Sequence, residues 1–138
     1  MAKKKLKRPS RKKTSQPKLV ALSPELEVIF MQGRTAHQQG QGLIAKAAYE
    51  QVLASAPKHA HTHFLLAILL MGLRDFAQSE AHFLKAVALL PSEPDFTSGL
   101  ANLYSNTKQY DKAAYYFTQA LEAKPDDPDL MRICQALY

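Results

Sequence analysis

The sequence has one cysteine, Cys134, so an intramolecular disulfide is excluded and nothing points to an oxidising compartment. It has no apolar run fit to cross a bilayer: the longest, residues 64–72, is less than half of the roughly 20 residues a membrane helix needs. A secretory leader does not fit either, because the basic start continues into Pro9-Ser10-Arg11 and reaches only Leu19-Val20-Ala21-Leu22 before Ser23-Pro24. An intracellular, cytoplasmic chain is therefore expected. The glycines form no phosphate-cradling GxxxxGK[ST] pattern. Cys134 sits in an apolar stretch with no basic triad around it, which suits packing better than nucleophilic chemistry. Asp126, Asp127 and Asp129 cluster at a helix start, where capping accounts for them. His59 and His63 can share a helix face as metal ligands must, but a metal site wants a third ligand and an orienting second layer. His37 and His82 have no acidic or cysteine companions at ligand spacing. The expectation is a non-enzyme with no metal and no cofactor.

Negative charge is missing from one end. Residues 1–18 hold nine of the 18 Lys and Arg and none of the 12 acids, so a strongly basic segment precedes a slightly acidic body. With Pro, Ser and Thr and almost nothing apolar, residues 1–22 read as a disordered basic tail. Clustered Lys3, Lys4, Lys5, Lys7, Arg8, Arg11, Lys12 and Lys13 suit electrostatic attachment to nucleic acid or to another anionic surface. The same cluster would serve as a nuclear-import signal in a eukaryote. No aromatics are interleaved to stack on bases, and a purely solubilising tail is the competing reading.

What the remainder has is an internal repeat. Pro57, Pro91 and Pro125 are 34 residues apart. On that ruler Leu66 aligns with Leu100, Ala67 with Ala101, Leu70 with Tyr104, Phe83 with Phe117 and Ala86 with Ala120. The spacing resembles the tetratricopeptide repeat family, whose helix–turn–helix units carry the pattern W-x2-L-G-x2-Y, A-x3-F and P. The copy at 94–127 is nearly complete, with Leu100, Ala101, Tyr104, Ala113, Phe117, Ala120 and Pro125. The copy at 60–93 has Ser79 where the small Ala belongs. The copy at 26–59 keeps Gly33, Ala45, Tyr49, Val52 and Pro57 but has Gln32 for the Leu and Ala36 for the aromatic. All three lack the tryptophan, with Ile29, His63 and Thr97 in its place.

Helix boundaries follow from local chemistry. Ser23-Pro24-Glu25 is a helix start, in which Ser accepts from free amides and Pro presets the first turn. Gly40-Gln41-Gly42 breaks the first helix near Gln39. The second helix is expected to face the core with Leu43, Ala47 and Val52, flanked by Ala48, Tyr49 and Leu53. Later prolines mark each boundary. Asp127-Pro128-Asp129 opens a seventh helix, with Tyr138 at the position of the family's Tyr. That helix, 128–138, either caps the stack and self-associates or binds another chain, or the array continues in a longer protein.

The resemblance implies an all-α, right-handed solenoid of three helix pairs plus a capping helix over residues 23–138, with the first helix of each pair lining a concave face. Partners of such arrays are usually peptides or helices. The concave positions map to Glu27, Phe30, Met31, Arg34, His37 and Gln38; to His61, Phe64, Leu65, Ile68 and Met71; and to Asp95, Ser98, Asn102, Ser105 and Asn106. The apolar middle and its flanks, at Phe30, Arg34, His37, His61, Phe64, Leu65, Ile68, Met71, Asn102 and Asn106, are taken as the binding groove. Family members that clamp a peptide carboxylate use Lys, Asn and Arg at set positions. Here those are mostly Phe30, Phe64, Leu65 and Gly99, so a chaperone-tail clamp is not expected. An apolar groove with polar flanks suits an amphipathic helix or an apolar extended segment, and the reading is a protein-interaction adaptor. Two alternatives stand beside it. The rhythm of residues 40–57 is similar to arrays that precede glycosyltransferase domains and select substrate for them. The tail alone supports polyanion association as the other.

Overall fold

The computed structural model describes residues 20–137, over which the chain is seven α-helices and no strand. They are α1 (Pro24–Gln38), α2 (Gly42–Ser55), α3 (Ala60–Gly72), α4 (Phe76–Leu89), α5 (Pro94–Asn106), α6 (Tyr110–Ala123) and α7 (Pro128–Leu137). The basic cluster at residues 3–13, the expected disorder of the tail and Tyr138 lie outside the described residues. No described helix is long and apolar enough to cross a membrane.

Each boundary has a local cause. Ser23 Oγ accepts from the Leu26 amide at 3.3 Å, and Asp75 Oδ1 from the Gln78 amide at 3.2 Å. Asp127 Oδ1 accepts from the amides of Asp129 and Leu130, so free amides at three helix starts are satisfied. Every odd-numbered helix down to α5 ends the same way. Gly40, Arg74 and Lys108 take left-handed φ values of 77°, 66° and 63°, and the next amide reaches back to Ala36, Leu70 and Tyr104 at 2.8, 2.9 and 2.8 Å. The even-numbered helices end on Ala56, Leu90 and Lys124, which leave the helical region with φ −131°, −135° and −132° and ψ 69°, 80° and 75°, as the proline that follows each disfavours helical backbone before it.

Packing repeats with the same period. Ala45, Ser79 and Ala113 are buried, as are Tyr49, Phe83 and Phe117, and Val52, Ala86 and Ala120. Ser79 is tolerated at a small-residue position because its hydroxyl donates to the Ala67 carbonyl at 2.7 Å. The buried face of α2 differs from the expected one: Ala45, Tyr49 and Val52 face inward while Leu43 is exposed. Residues 45, 49 and 52 form one stripe at helical spacing, and Leu43 lies roughly 200° around the helix from Ala45. Cys134 is buried, as expected for a packing residue.

Consecutive helices pack on one another throughout: α1 on α2, α2 on α3, and so on to α7. In addition α3 touches α5 directly, whereas no comparable contact joins one even-numbered helix to another. The α3–α5 contact, and the pocket shared by Arg34 and His37 of α1 with Leu65 of α3, put the odd helices on the inner side of the curve and the even ones on its outer side. That curvature produces a concave face lined by α1, α3 and α5.

Candidate functional site

The concave face is built where α3 meets its odd-numbered neighbours. Phe64 lies 4.7 Å from Phe96 of α5 and 6.0 Å, edge-on, from Phe83 of α4. It is half-buried and belongs to the core as much as to the groove. A Cβ at Gly99 would stand 2.6 Å from Phe83 and 3.0 Å from Phe64. The glycine is there because these two rings occupy the space that a side chain would need. His61 is exposed and sets its ring against the edge of Phe96 at 5.1 Å.

Leu65, Ile68 and Met71 are half-buried and pack onto the margins of the two main cores, so they form an apolar floor. Asn102 and Asn106 are exposed on one side of it, and Asn106 Nδ2 points at Met71 Sδ across 3.6 Å. Arg34 and His37 stand on the other side. Phe30 is different from the rest: it is 8% exposed, with its ring 5.4 Å from His59 and 6.3 Å from Tyr49, and so lies in the core.

Arg34, His37 and Leu65 come together around a pocket of about 170 Å³, completed by Gln38 and Tyr49. The Tyr49 hydroxyl is 3.2 Å from His37 Nδ1. Burial lowers the pKa of His37, which favours the neutral ring, and raises that of Tyr49, an effect the Arg34 charge partly offsets. The notch thus offers a cation and a half-buried imidazole at the end of an apolar floor, with the fully buried Tyr49 hydroxyl holding the ring from behind. The sequence pattern assigned Tyr49 to packing alone, because its position in the repeat is that of a core aromatic; the phenol oxygen of Tyr was the signal that Phe83 and Phe117 do not carry.

A second group was missed for a similar reason. His63 fills the position of the absent tryptophan and is buried, and its Nε2 donates to the Pro57 carbonyl at 2.8 Å. That fixes the tautomer, so the bare Nδ1 accepts from His82 Nδ1 at 3.0 Å. The rings stack at 5.2 Å. Burial lowers both pKa values, that of His82 to about 4 with help from the His63 and Lys85 charges. Residues nineteen apart in sequence gave no local sign of this pair. Among the described residues no group of three or more His, Cys, Asp and Glu stands together to hold a metal ion.

The sequence matches the family model described as tetratricopeptide repeat over residues 30–94 and again over residues 64–128. No curated protein matches it in sequence. Among solved structures, the first TPR of Spaghetti (RPAP3) bound to an HSP90 peptide superposes with a TM-score of 0.78 at 19% identity, covering 84% of this chain and 93% of that one. The Sgt2 TPR domain from Aspergillus fumigatus gives 0.77 at 18% identity, covering 85% and 79%. An O-GlcNAc transferase from Thermobaculum terrenum gives 0.74 at 22% identity, covering 81% of this chain but 22% of that much longer one. At these identities the likeness establishes the fold.

Proposed function

The chain belongs to the tetratricopeptide repeat family, and from that premise we propose that it is a non-catalytic adaptor that holds a peptide or amphipathic helix of another protein in its concave face. The observation that carries this reading is the half-buried floor of Leu65, Ile68 and Met71 between Arg34 and His37 on one side and Asn102 and Asn106 on the other. An apolar segment laid there covers surface that water now meets, while its flanking polar groups reach the amides and the Arg34–His37 notch. The likeness to the TPR of Spaghetti (RPAP3), which is bound to an HSP90 peptide, supports a peptide as the class of ligand. The lining favours an apolar one, because Phe64, Leu65 and Gly99 stand where carboxylate-clamping members carry polar and basic residues.

Replacing Phe64 tests the core as much as the groove, since its ring packs on Phe83 and Phe96. The exposed residues Arg34 and Asn102 are cleaner probes. The experiment is affinity purification from a lysate with the full chain, with a version lacking residues 1–18 and with an Arg34→Glu/Asn102→Lys variant, before and after nuclease treatment. A discrete protein retained without the tail and after nuclease, and lost in the helical double variant, is the expected result. Recovery that vanishes with the tail or with nuclease would assign the function to the basic segment instead.

A further inference from the structure

Among the described residues, one seat of the repeat stack is left uncovered. In the second and third pairs, the face of the odd helix that meets the preceding even helix is closed. Thr62, Leu66 and Leu69 of α3 are buried with α2 upon them, and Phe96, Leu100 and Leu103 of α5 are buried with α4 upon them. One period earlier the same three positions are Val28, Gln32 and Thr35 of α1, and all three are exposed. Val28, Met31 and Ile44 stay 56%, 47% and 60% exposed. Together with Pro24 and Glu27 they line a groove of about 650 Å³ along α1 and the start of α2. This surface is separate from the concave notch; no residue lines both.

We propose that this groove is a second docking surface, taking one amphipathic helix of another protein that joins the stack as an even-numbered helix does. The repeat interfaces within the chain specify the chemistry of that helix, because the groove is their direct continuation. The helices that fill the equivalent seats carry an aromatic residue followed three and four positions on by small or branched apolar residues: Tyr49, Val52 and Leu53 in α2; Phe83, Ala86 and Val87 in α4; and Phe117, Ala120 and Leu121 in α6. Val28 is close in shape to Thr62 and unlike Phe96, so the open seat is most like the one that α2 fills on α3. Gln32 and Thr35, in place of leucines, narrow the apolar stripe that the incoming helix presents and give it hydrogen-bonding neighbours. The sequence of residues 1–19 contains no aromatic and includes Pro9 and Pro17, so it does not carry that pattern.

The test uses a fluorescent peptide copying residues 42–57 as a stand-in for an even-numbered helix. A short peptide alone is marginally helical. A lactam between Lys46 and Glu50, already an ion pair at 3.8 Å on one helix face, holds it in shape, and circular dichroism confirms its helicity before binding is measured. Titrated with the full chain, the peptide should bind saturably. Binding should weaken by about tenfold or more in Val28→Glu and in Met31→Glu, where a charge meets the apolar stripe, and should be unchanged in Arg34→Glu/Asn102→Lys. The variants sit at exposed positions, and their urea midpoints report that the fold is intact. Absence of binding by a helical peptide, or loss of binding only in the concave-face variant, overturns the proposal. So does sedimentation showing a dimer that Val28→Glu dissociates, which would make a second copy the occupant. Binding that appears only after residues 1–18 are removed would make the chain's own start the occupant and would equally overturn it.

Discussion

The first and third helix pairs follow the same plan to within about 15° of φ at the turns inside them, yet one face of their opening helices differs completely. In α5, Leu100 and Leu103 are buried under α4; in α1, Gln32 and Thr35 stand in solvent. The leucines are demanded by the neighbour that covers them rather than by the helix that carries them. The same logic explains Ala36. Its counterpart Tyr104 extends its hydroxyl to Glu80 of α4 at 2.6 Å, a contact with the preceding pair that raises the tyrosine pKa through burial and the carboxylate. The described helices place nothing before α1 to be reached, and a methyl group suffices. Departures from the repeat pattern in the first copy therefore mark an uncovered face rather than a failing repeat.

The largest test of that comparison exchanges the residues. Leu100→Gln buries an amide where Leu100 has no exposure, and should cost about 3 kcal/mol from lost apolar transfer and an unpaired polar group. Gln32→Leu should stay within about 0.5 kcal/mol of the parent, because a leucine there remains in water. Urea unfolding of both variants measures the two values. A large stabilisation by Gln32→Leu would break the comparison, since it would mean that α1 is covered in solution.

A second contrast of intermediate size separates the middle pair from its neighbours. Ile29 and Thr97 occupy the positions equivalent to His63, so only the middle pair carries the stacked histidines. The folded chain holds His82 near pKa 4 against an ordinary value of 6.5. Above pH 6.5 both folded and unfolded chains keep the ring neutral and no stability depends on it. As pH falls from 6.5 toward 4 the unfolded chain takes up a proton that the folded one refuses, so stability is lost across that window. The urea midpoint should fall with acidification, and His82→Gln, which keeps an amide donor for His63 Nδ1, should fall less steeply. His37, His59 and His63 are also lowered by burial and leave a residual slope. Equal slopes in parent and variant would show that the pair is not the source.

How much of this was legible in the sequence follows the range of each interaction. The prolines, Ser23, Asp127 and the buried triplets at 34-residue spacing are local or periodic signals, and they gave the helices, their order and the core. The inward face of α2 was misread because leucine at position 43 looks like a core residue until the neighbours of Ala45 and Tyr49 are in place. Of the concave positions inferred from the family resemblance, Arg34, His37 and Leu65 do converge, while Phe30 is drawn into the core by Tyr49 and His59. The reason for Gly99 could not be read at all, because it lies in two rings brought to it from α3 and α4. Periodicity reports that a face is covered, and the chemistry of a contact between repeats appears only when both sides are known.

The smallest test concerns a position where the three pairs are alike in backbone and unlike in sequence. Gly40, Arg74 and Lys108 all adopt left-handed φ to turn one helix into the next, and only the first is glycine. A side chain there places Cβ against the following carbonyl at a cost of about 1–2 kcal/mol, from which glycine's greater freedom in the unfolded chain subtracts about half. Lys108→Gly should thus stabilise the fold by about 0.5–1 kcal/mol, and Gly40→Lys should destabilise it by a similar amount. Arg74→Gly should gain less, because the Arg74 guanidinium lies 5.5 Å over the ring of Phe76 and that attraction would be lost. Calorimetric melting of the three single variants measures the order directly. If Lys108→Gly gains no more than Arg74→Gly, the cation over the ring contributes nothing, and the three turns differ only in the presence or absence of a side chain at one strained position.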